Sequence, residues 1–288
     1  MNYRIVDLEQ NTPEWMNFRK GKIGASMAPT IMNENPWKSP LSLWEDIVFD
    51  RKTEETASMK RGRELEPLAR DWLNKKWGVE FKPAVVQSIV NGDLIASLDG
   101  MYIDKGEPVL VEIKCAGAIS HAQAVSGTIP RHYAAQLQHQ MNVVGVNKMY
   151  YLSYTGDDED TVVLLAQRNK EYCDVMIREE MTFLQRLADF NPPDPRDSDW
   201  KIIEDASLIK DGNRLAHIKL LQKELEEEED EIKSRLSLSL QHPRCKIGNI
   251  KAQKLTRKGP VDYGKIEALK EVNLEKYRKT PIQYWKFG

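Results

Sequence analysis

The stretch SLDGMYIDKGEPVLVEIKC, residues 97–115, constrains this chain more than any other segment. It reads as two strands joined through the turn DKGE. Val109, Val111 and Ile113 alternate with Leu110, Glu112 and Lys114, and side chains two apart in a strand share a face, so Glu112 and Lys114 point the same way. A turn centred between Lys105 and Gly106 pairs residues whose numbers sum to 211, which sets Asp99 opposite Glu112. Directly opposed residues have Cβ atoms roughly 4.5–5.5 Å apart. Two carboxylates that close repel unless a proton or a cation lies between them, and hard divalent ions such as magnesium take oxygen ligands.

The three residue types suit one chemistry, the outline of a metal-dependent phosphodiesterase. Asp99 and Glu112, with the backbone carbonyl of Ile113, are the candidate ligands of Mg²⁺, which polarises a phosphoryl oxygen and acidifies bound water. Lys114 is the candidate for orienting or deprotonating that water. The same triplet also arises when an amphipathic strand turns its polar face to water, so by itself it does not decide.

Composition narrows the setting. A chain of 288 residues can bury a substantial core, and 41% hydrophobic with 30% charged residues is the balance of a soluble globular protein. There is no run of about 18 apolar residues to span a bilayer, and MNYRIVDLEQ lacks the apolar core of a signal peptide, so an intracellular, cytoplasmic protein without membrane contact is expected. Cys115, Cys173 and Cys245 are odd in number and far apart, which argues against a disulfide framework. The net charge of −2 is uneven: residues 244–288 carry +8, leaving −10 for residues 1–243. That tail is either a footprint for a polyanion or a solvated surface balanced by the acidic run ELEEEEDE at 224–231.

Along the chain, TPEWMNFRKGKIGAS predicts a helix from the Thr12-Pro13 cap signal, then a loop and a second helix from Ser26. In KRGRELEPLARDWLNKKWG, Leu65, Leu68, Ala69, Trp72 and Leu73 form an amphipathic stripe ending near Gly78. Pro67 is expected in the first turn, where no intrahelical bond is lost, which puts Glu66 at the positive end of the helix dipole. PRHYAAQLQHQMNVVG predicts a helix with Tyr133, Gln136 and Gln140 on successive turns of one face. Strands over KMYYLSYTG and DTVVLLAQ and a helix from Lys170 to about Phe190 complete a compact unit, residues 1–192. NPPDPRDSD opens a linker, 193–204, and residues 205–288 form a charged helical arm or hairpin, with approximate heptads, and a small basic module containing a β-hairpin and short helix.

Four collinear motifs then resemble a known family. EWMNFRKGKIGAS is similar to a W-x3-R-x-G-x-I-x-A-S opening, GRELEP to a G-x3-E helix start, SLDG with EIKC to the catalytic hairpin, and YAAQLQHQM to a Y-x-x-Q-x-Q helix. Together, over roughly residues 12–185, they resemble the phage lambda exonuclease and YqaJ-type viral recombinase nucleases of the PD-(D/E)xK superfamily. The resemblance implies an α/β restriction-endonuclease-like core, a central mixed sheet flanked by helices. It implies catalytic or metal roles for Asp99, Glu112 and Lys114, Glu66 as a further acidic group, and Tyr133 and Gln136 on the glutamine-bearing helix. Arg19 and Ser26, with Ser97, look like the family's pocket for a terminal 5′-phosphate; as a plain amphipathic-helix residue, Arg19 would instead only face solvent. Where the family pattern carries another arginine after the catalytic lysine, this chain has CAGAISHAQ, with Ser120 or His121 as candidate substitutes.

The implied activity is Mg²⁺-dependent 5′ to 3′ exonuclease action on ends of linear double-stranded DNA, leaving 3′ single-stranded tails for phage-type recombination, with Mn²⁺ able to substitute. A homo-oligomeric ring, often a trimer, and a single-strand annealing protein are the implied partners. Tyr277, Tyr284 and Trp285 among the lysines of the tail suit DNA contact or the core of that module equally. The alternatives are an endonuclease, an iron-sulfur nuclease of the CRISPR-associated type, which three scattered cysteines cannot supply with four ligands, and a catalytically silent DNA-binding scaffold.

Overall fold

The computed structural model describes residues 2–10, 12–51, 55–115, 117–256, 259, 265–267 and 272. The chain divides into two compact units, one up to Lys201 and one from Ile202 onward. In the first, β1 (Tyr3–Val6), β2 (Ile23–Gly24), β3 (Lys82–Ser88), β4 (Leu94–Asp104), β5 (Glu107–Lys114), β6 (Lys148–Ser153) and β7 (Val162–Gln167) form one mixed sheet in the order β1-β3-β4-β5-β6-β7, with β2 alongside β4. The β5–β6 pairing is parallel, so the chain between them crosses over through α5 (Ala118–Val125) and α6 (Arg131–Val144).

The hairpin register is the one the turn dictates. Asp104 faces Glu107 and the ladder continues to Gly100 opposite Val111, with Lys105 and Gly106 both at positive φ in the turn. Against β3, however, β4 spends three residue steps, Leu98 to Met101, opposite two, Ala84 to Lys82. The extra residue falls at Asp99 and Gly100, a β-bulge of the kind that re-aims a side chain.

Each face of the sheet is covered. Leu98, Leu110, Tyr151 and Met149 pack with Leu137 and Met141 of α6 and Phe183 of α7 (Lys170–Ala188). Val111, Ile113 and Leu152 pack with Ala69 and Leu73 of α4 (Ala57–Trp77). Burial of such side chains is worth about 1.5–3 kcal/mol each and drives the layering. Short helices α1 (Pro13–Arg19), α2 (Ala28–Ile31), preceded by a 3-10 turn at Ala25–Met27, and α3 (Pro40–Val48) complete this unit, with Thr12 capping α1 as its sequence predicts.

Helix α4 departs from expectation. It begins at Ala57, capped by the Thr56 hydroxyl, so Pro67 lies mid-helix rather than in the first turn, and Glu66 is not at the dipole's positive end. Proline costs a helix one i→i−4 bond, here at the Arg63 carbonyl. Burial of Ala69 and Leu73 beyond it, and the left-handed Gly78 cap, carry the helix through. Leu68, placed on the apolar stripe by spacing, is 54% exposed.

The proline-rich stretch after α7 is tied to the first unit. Arg196 Nη1 donates to Asn33 Oδ1 and to the Asn35 carbonyl, both at 3.1 Å, and the Ser42 hydroxyl donates to Asp199 at 3.4 Å. In the second unit α8 (Ala206–Ser239) is one uninterrupted helix of 34 residues rather than a hairpin, with no buried side chain. A β-hairpin follows, β8 (Arg244–Ile247) with β9 (Ile250–Gln253). Tyr277, Tyr284 and Trp285 lie outside the described residues. Among the described residues no helix is long and apolar enough to cross a membrane.

Candidate active site

One cleft of about 1010 Å³ gathers ten residues expected from the sequence: Arg19, Ser26, Glu66, Ser97, Asp99, Glu112, Ile113, Lys114, Tyr133 and Gln136. At its centre is Glu112, 1% exposed. Strand alternation puts Lys114 on the same face, and its ammonium meets Glu112 Oε1 at 2.6 Å. Helix α6 supplies two more donors: Gln136 Nε2 to Oε1 and Gln140 Nε2 to Oε2, each at 2.6 Å. These residues are four apart, which stacks them on one helix face. A buried carboxylate is tolerated only when paired and hydrogen-bonded, and Glu112 is both.

Asp99, carried on the bulge, turns its carboxylate to the hairpin's other strand, where Oδ2 accepts the Ile113 N–H at 2.8 Å. Burial and then the neighbouring charge of Glu112 hold its carboxyl well above the usual range, with Glu66 adding to the effect and Lys114 opposing it. Gly100 makes the bulge possible, because a Cβ there would sit 2.6 Å from Val111 Cγ1 and 3.0 Å from Phe81 Cβ. Burial would lower Lys114, but the charges of Glu112 and Asp99 outweigh it and raise the ammonium above its ordinary value. Its Nζ also lies 5.2 Å from the Tyr133 ring. Burial, with Glu66 next, pushes the neighbouring Cys115 thiol up to about 11, which keeps it protonated and inert.

Glu66 reaches the cleft from mid-helix, paired with Arg70 at 2.9 Å. Arg70 also donates to the main-chain oxygen of Asp99, linking α4 to the bulge. On the opposite wall the Arg19 guanidinium stacks over Trp15 at 4.3 Å from the ring centroid, and burial lowers its pKa. No carboxylate pairs with it among the described residues. Ser26 is exposed in the same wall, while the Ser97 hydroxyl accepts the Trp15 indole N–H at 3.2 Å.

Sequence spacing places Gln140 on the face of Tyr133 and Gln136 without giving it a role, and it misses Arg70. Gln140 follows from the same i, i+4 spacing as Gln136, but the Y-x-x-Q-x-Q pattern points instead to Gln138, which bonds the Gln167 carbonyl and the Asn169 N–H away from the cleft. Arg70 shares the cleft face of α4 with Glu66 at i, i+4, a signal obscured by starting the helix at Pro67. His121 does not replace the missing arginine: its Nδ1 lies 2.8 Å from the Ser153 hydroxyl and its Nε2 3.2 Å from Asp160, and neither it nor Ser120 lines the cleft.

The chain is similar to known proteins in sequence and fold. Residues 14–147 match the YqaJ-like viral recombinase domain. The uncharacterized protein YqaJ of Bacillus subtilis is 28% identical over 181 residues, 61% of this chain and 56% of that protein, so the chain spans about half the length of this curated relative. The alkaline exonuclease LHK-Exo of Laribacter hongkongensis is 26% identical with a TM-score of 0.55, covering 62% of this chain and 94% of that one. The same enzyme in complex with dAMP matches at 25% identity and an equal TM-score of 0.55. The sheet and its flanking helices are the PD-(D/E)xK-like fold, and residues 14–147 are similar to the YqaJ-like viral recombinase domain.

Proposed function

We propose that the protein is a Mg²⁺-dependent exonuclease that degrades the 5′-ended strand of linear double-stranded DNA, leaving 3′ tails for recombination. The observation that carries this reading is Glu112 held by Lys114 at 2.6 Å beside the bulged Asp99, at the base of a cleft walled by Arg19. Similarity to an alkaline exonuclease, and its complex with the nucleoside monophosphate dAMP, supports DNA as substrate and mononucleotides as product.

The donor set fits a hard divalent ion. Asp99 and Glu112 offer carboxylate oxygens with the Ile113 carbonyl adjacent, and Asp99, raised by burial and then by the charge of Glu112, is a carboxyl whose charged form a cation favours. Among the described residues no three His, Cys, Asp or Glu side chains gather to hold an ion alone. Magnesium does not require that, since it keeps several waters and is completed by one or two carboxylates and substrate phosphate. When bound, the ion supplies Lewis acidity toward the scissile phosphate. Mn²⁺, also an oxygen-seeking ion, substitutes in this reading.

The chain's own groups do the rest. Lys114 orients the attacking water and offsets charge on the phosphorane, while Gln136 and Gln140 fix the Glu112 carboxylate. Glu66 adds an acidic group through Arg70. Arg19, desolvated and without a carboxylate partner among the described residues, offers two parallel donors to a terminal 5′-phosphate, with Ser26 and Ser97 alongside. The same reading takes the chain as one subunit of a homo-oligomeric ring, a trimer in the family pattern, acting with a single-strand annealing protein. The resemblance to the family is what supports that part.

The test is incubation of the protein and Lys114→Ala with Mg²⁺ and linear duplex, labelled at either end and with or without 5′-phosphate, beside a closed circle. Loss of the 5′-ended strand, absent for the variant and the circle, is expected. Cutting of the circle would make it an endonuclease, and no cleavage with either Mg²⁺ or Mn²⁺ would overturn the catalytic reading.

A further inference from the structure

A row of rings leads from the cleft to solvent and ends on a tryptophan with no structural duty. Tyr133, in the cleft wall, lies 4.1 Å between centroids from His132, and His132 lies 4.9 Å from Trp37 at an interplanar angle of 80°. Trp37 is 76% exposed, so most of the indole contributes nothing to the core.

The loop that presents it is built rather than loose. Asn35 Oδ1 accepts the Trp37 N–H at 2.9 Å, and Asn35 Nδ2 donates to the Thr30 hydroxyl at 2.9 Å, itself 2% exposed. Arg196 clamps the Asn35 carbonyl from the other side at 3.1 Å, and Ser39, 1% exposed, starts α3 two residues later by capping Ser42. An indole held out into water by this many bonds is pre-organised, which lowers the cost of binding through it. Cations flank the two outer rings in sequence. Arg131 precedes His132 with a side chain 83% exposed and only a 3.4 Å contact to Glu34, and Lys38 follows Trp37, paired with Asp46.

A flat exposed ring beside cations, continuous with a phosphodiester cleft, matches the way single-stranded nucleic acid is held: bases stack on aromatic faces while the backbone follows positive charge. We propose that Trp37 is a stacking platform for an unpaired nucleobase of a single-stranded DNA segment adjoining the cleft. The proposal rests on the cleft's being a DNA site. It adds a sequence-tolerant contact outside the reacting centre, which steadies an unpaired strand without touching the scissile bond.

The experiment measures binding of the full chain, in EDTA so that nothing is cut, to a blunt duplex and to the same duplex with a 3′ single-stranded tail carrying 2-aminopurine. Wild type, Trp37→Ala and Trp37→Phe are compared, with melting temperature as a check on folding. Trp37→Ala is expected to weaken tailed DNA about tenfold, in the range of one lost base stack, and to change blunt duplex less than twofold. Trp37→Phe should recover most of the loss, because a phenyl ring still offers a face. Equal affinity of wild type and Trp37→Ala for tailed DNA would overturn the platform, as would an equal loss on both DNAs. A change in sedimentation of Trp37→Ala with no change in DNA binding would reassign the indole to a protein interface and overturn it too. Wild type binding neither DNA would sink the DNA reading itself, a result distinct from the others.

Discussion

The guanidinium of Arg70 joins the Glu66 carboxylate on its own helix to the main-chain oxygen of Asp99 on the sheet. That side chain, 13% exposed, ties α4 directly to the bulge that aims Asp99. Charge-assisted bonds of this kind hold geometry tightly, and small misplacements in a catalytic group cost rate steeply. Both bonds leave one nitrogen, Nη1, so Arg70→Met removes them together, and kcat should fall about 10- to 100-fold with KM nearly unchanged. Steady-state cleavage of a linear duplex checks this, and an unaltered kcat would release Arg70 from the role.

Asp99→Asn should separate stability from activity. The carboxylate is buried, and crowded next by Glu112 and then Glu66, and costs the fold something without a cation. The amide removes that repulsion, though it also places an uncharged group opposite Lys114. In EDTA the variant should melt higher, by about 2–4 °C, the shift expected for about 1 kcal/mol in a unit of this size. Cleavage should be abolished. A lower melting point would mean that the Ile113 and Lys114 contacts outweigh the crowding.

His139 gives a pH dependence away from the cleft. Its Nδ1 lies 2.6 Å from Glu180 Oε1 and its Nε2 3.0 Å from the Ile95 carbonyl, so both nitrogens face acceptors and the charged ring serves both. Burial opposes the charge, but Glu180 and the Ile95 carbonyl outweigh it and raise the histidine above its ordinary value. A raised folded value means the stabilisation is complete below about pH 6.5 and is lost as pH climbs through the folded value. Melting temperature should therefore decline over that alkaline interval in wild type, and the decline should flatten in His139→Gln. Parallel curves for the two proteins would remove His139 as its source.

Gly100 has no room for a methyl group. An added Cβ meets Val111 Cγ1 at 2.6 Å, a distance that real Cβ atoms do not adopt, and crowds Phe81 Cβ at 3.0 Å, and both neighbours are buried. Gly100→Ala should cost about 1–3 kcal/mol by overpacking. Because Asp99 is its neighbour, cleavage should fall as well; urea denaturation with an unchanged midpoint would show that the bulge yields.

Much of this was legible in advance because it follows from local rules. The hairpin register came from one turn position, and the Glu112–Lys114 pair from the two-residue repeat of a strand. Gln136 and Gln140 share a face by helix geometry alone. What was not legible depends on contacts between distant segments. Pro67 looks like a helix start until the burial of Ala69 and Leu73 against the sheet carries α4 through it. The bulge at Asp99 is a mismatch between β4 and β3, and the one local mark of it is Gly100, a glycine inside a strand, which does not say where the partner strand slips. His121 sits where a motif has an arginine, yet its direction is set by Ser153 and Asp160, far along the chain.

The parallel pairing of β5 with β6 also governs when the site can come into being. The β4–β5 hairpin closes locally and brings Asp99, Glu112 and Lys114 together early. The glutamines that hold Glu112 arrive only with the crossover, Gln140 being 28 residues downstream, and parallel pairing waits on that longer loop. A chain emerging during synthesis thus has its acidic centre before it has the helix that fixes it. Competence comes last, after the crossover has docked, so an unfinished chain is an unarmed one.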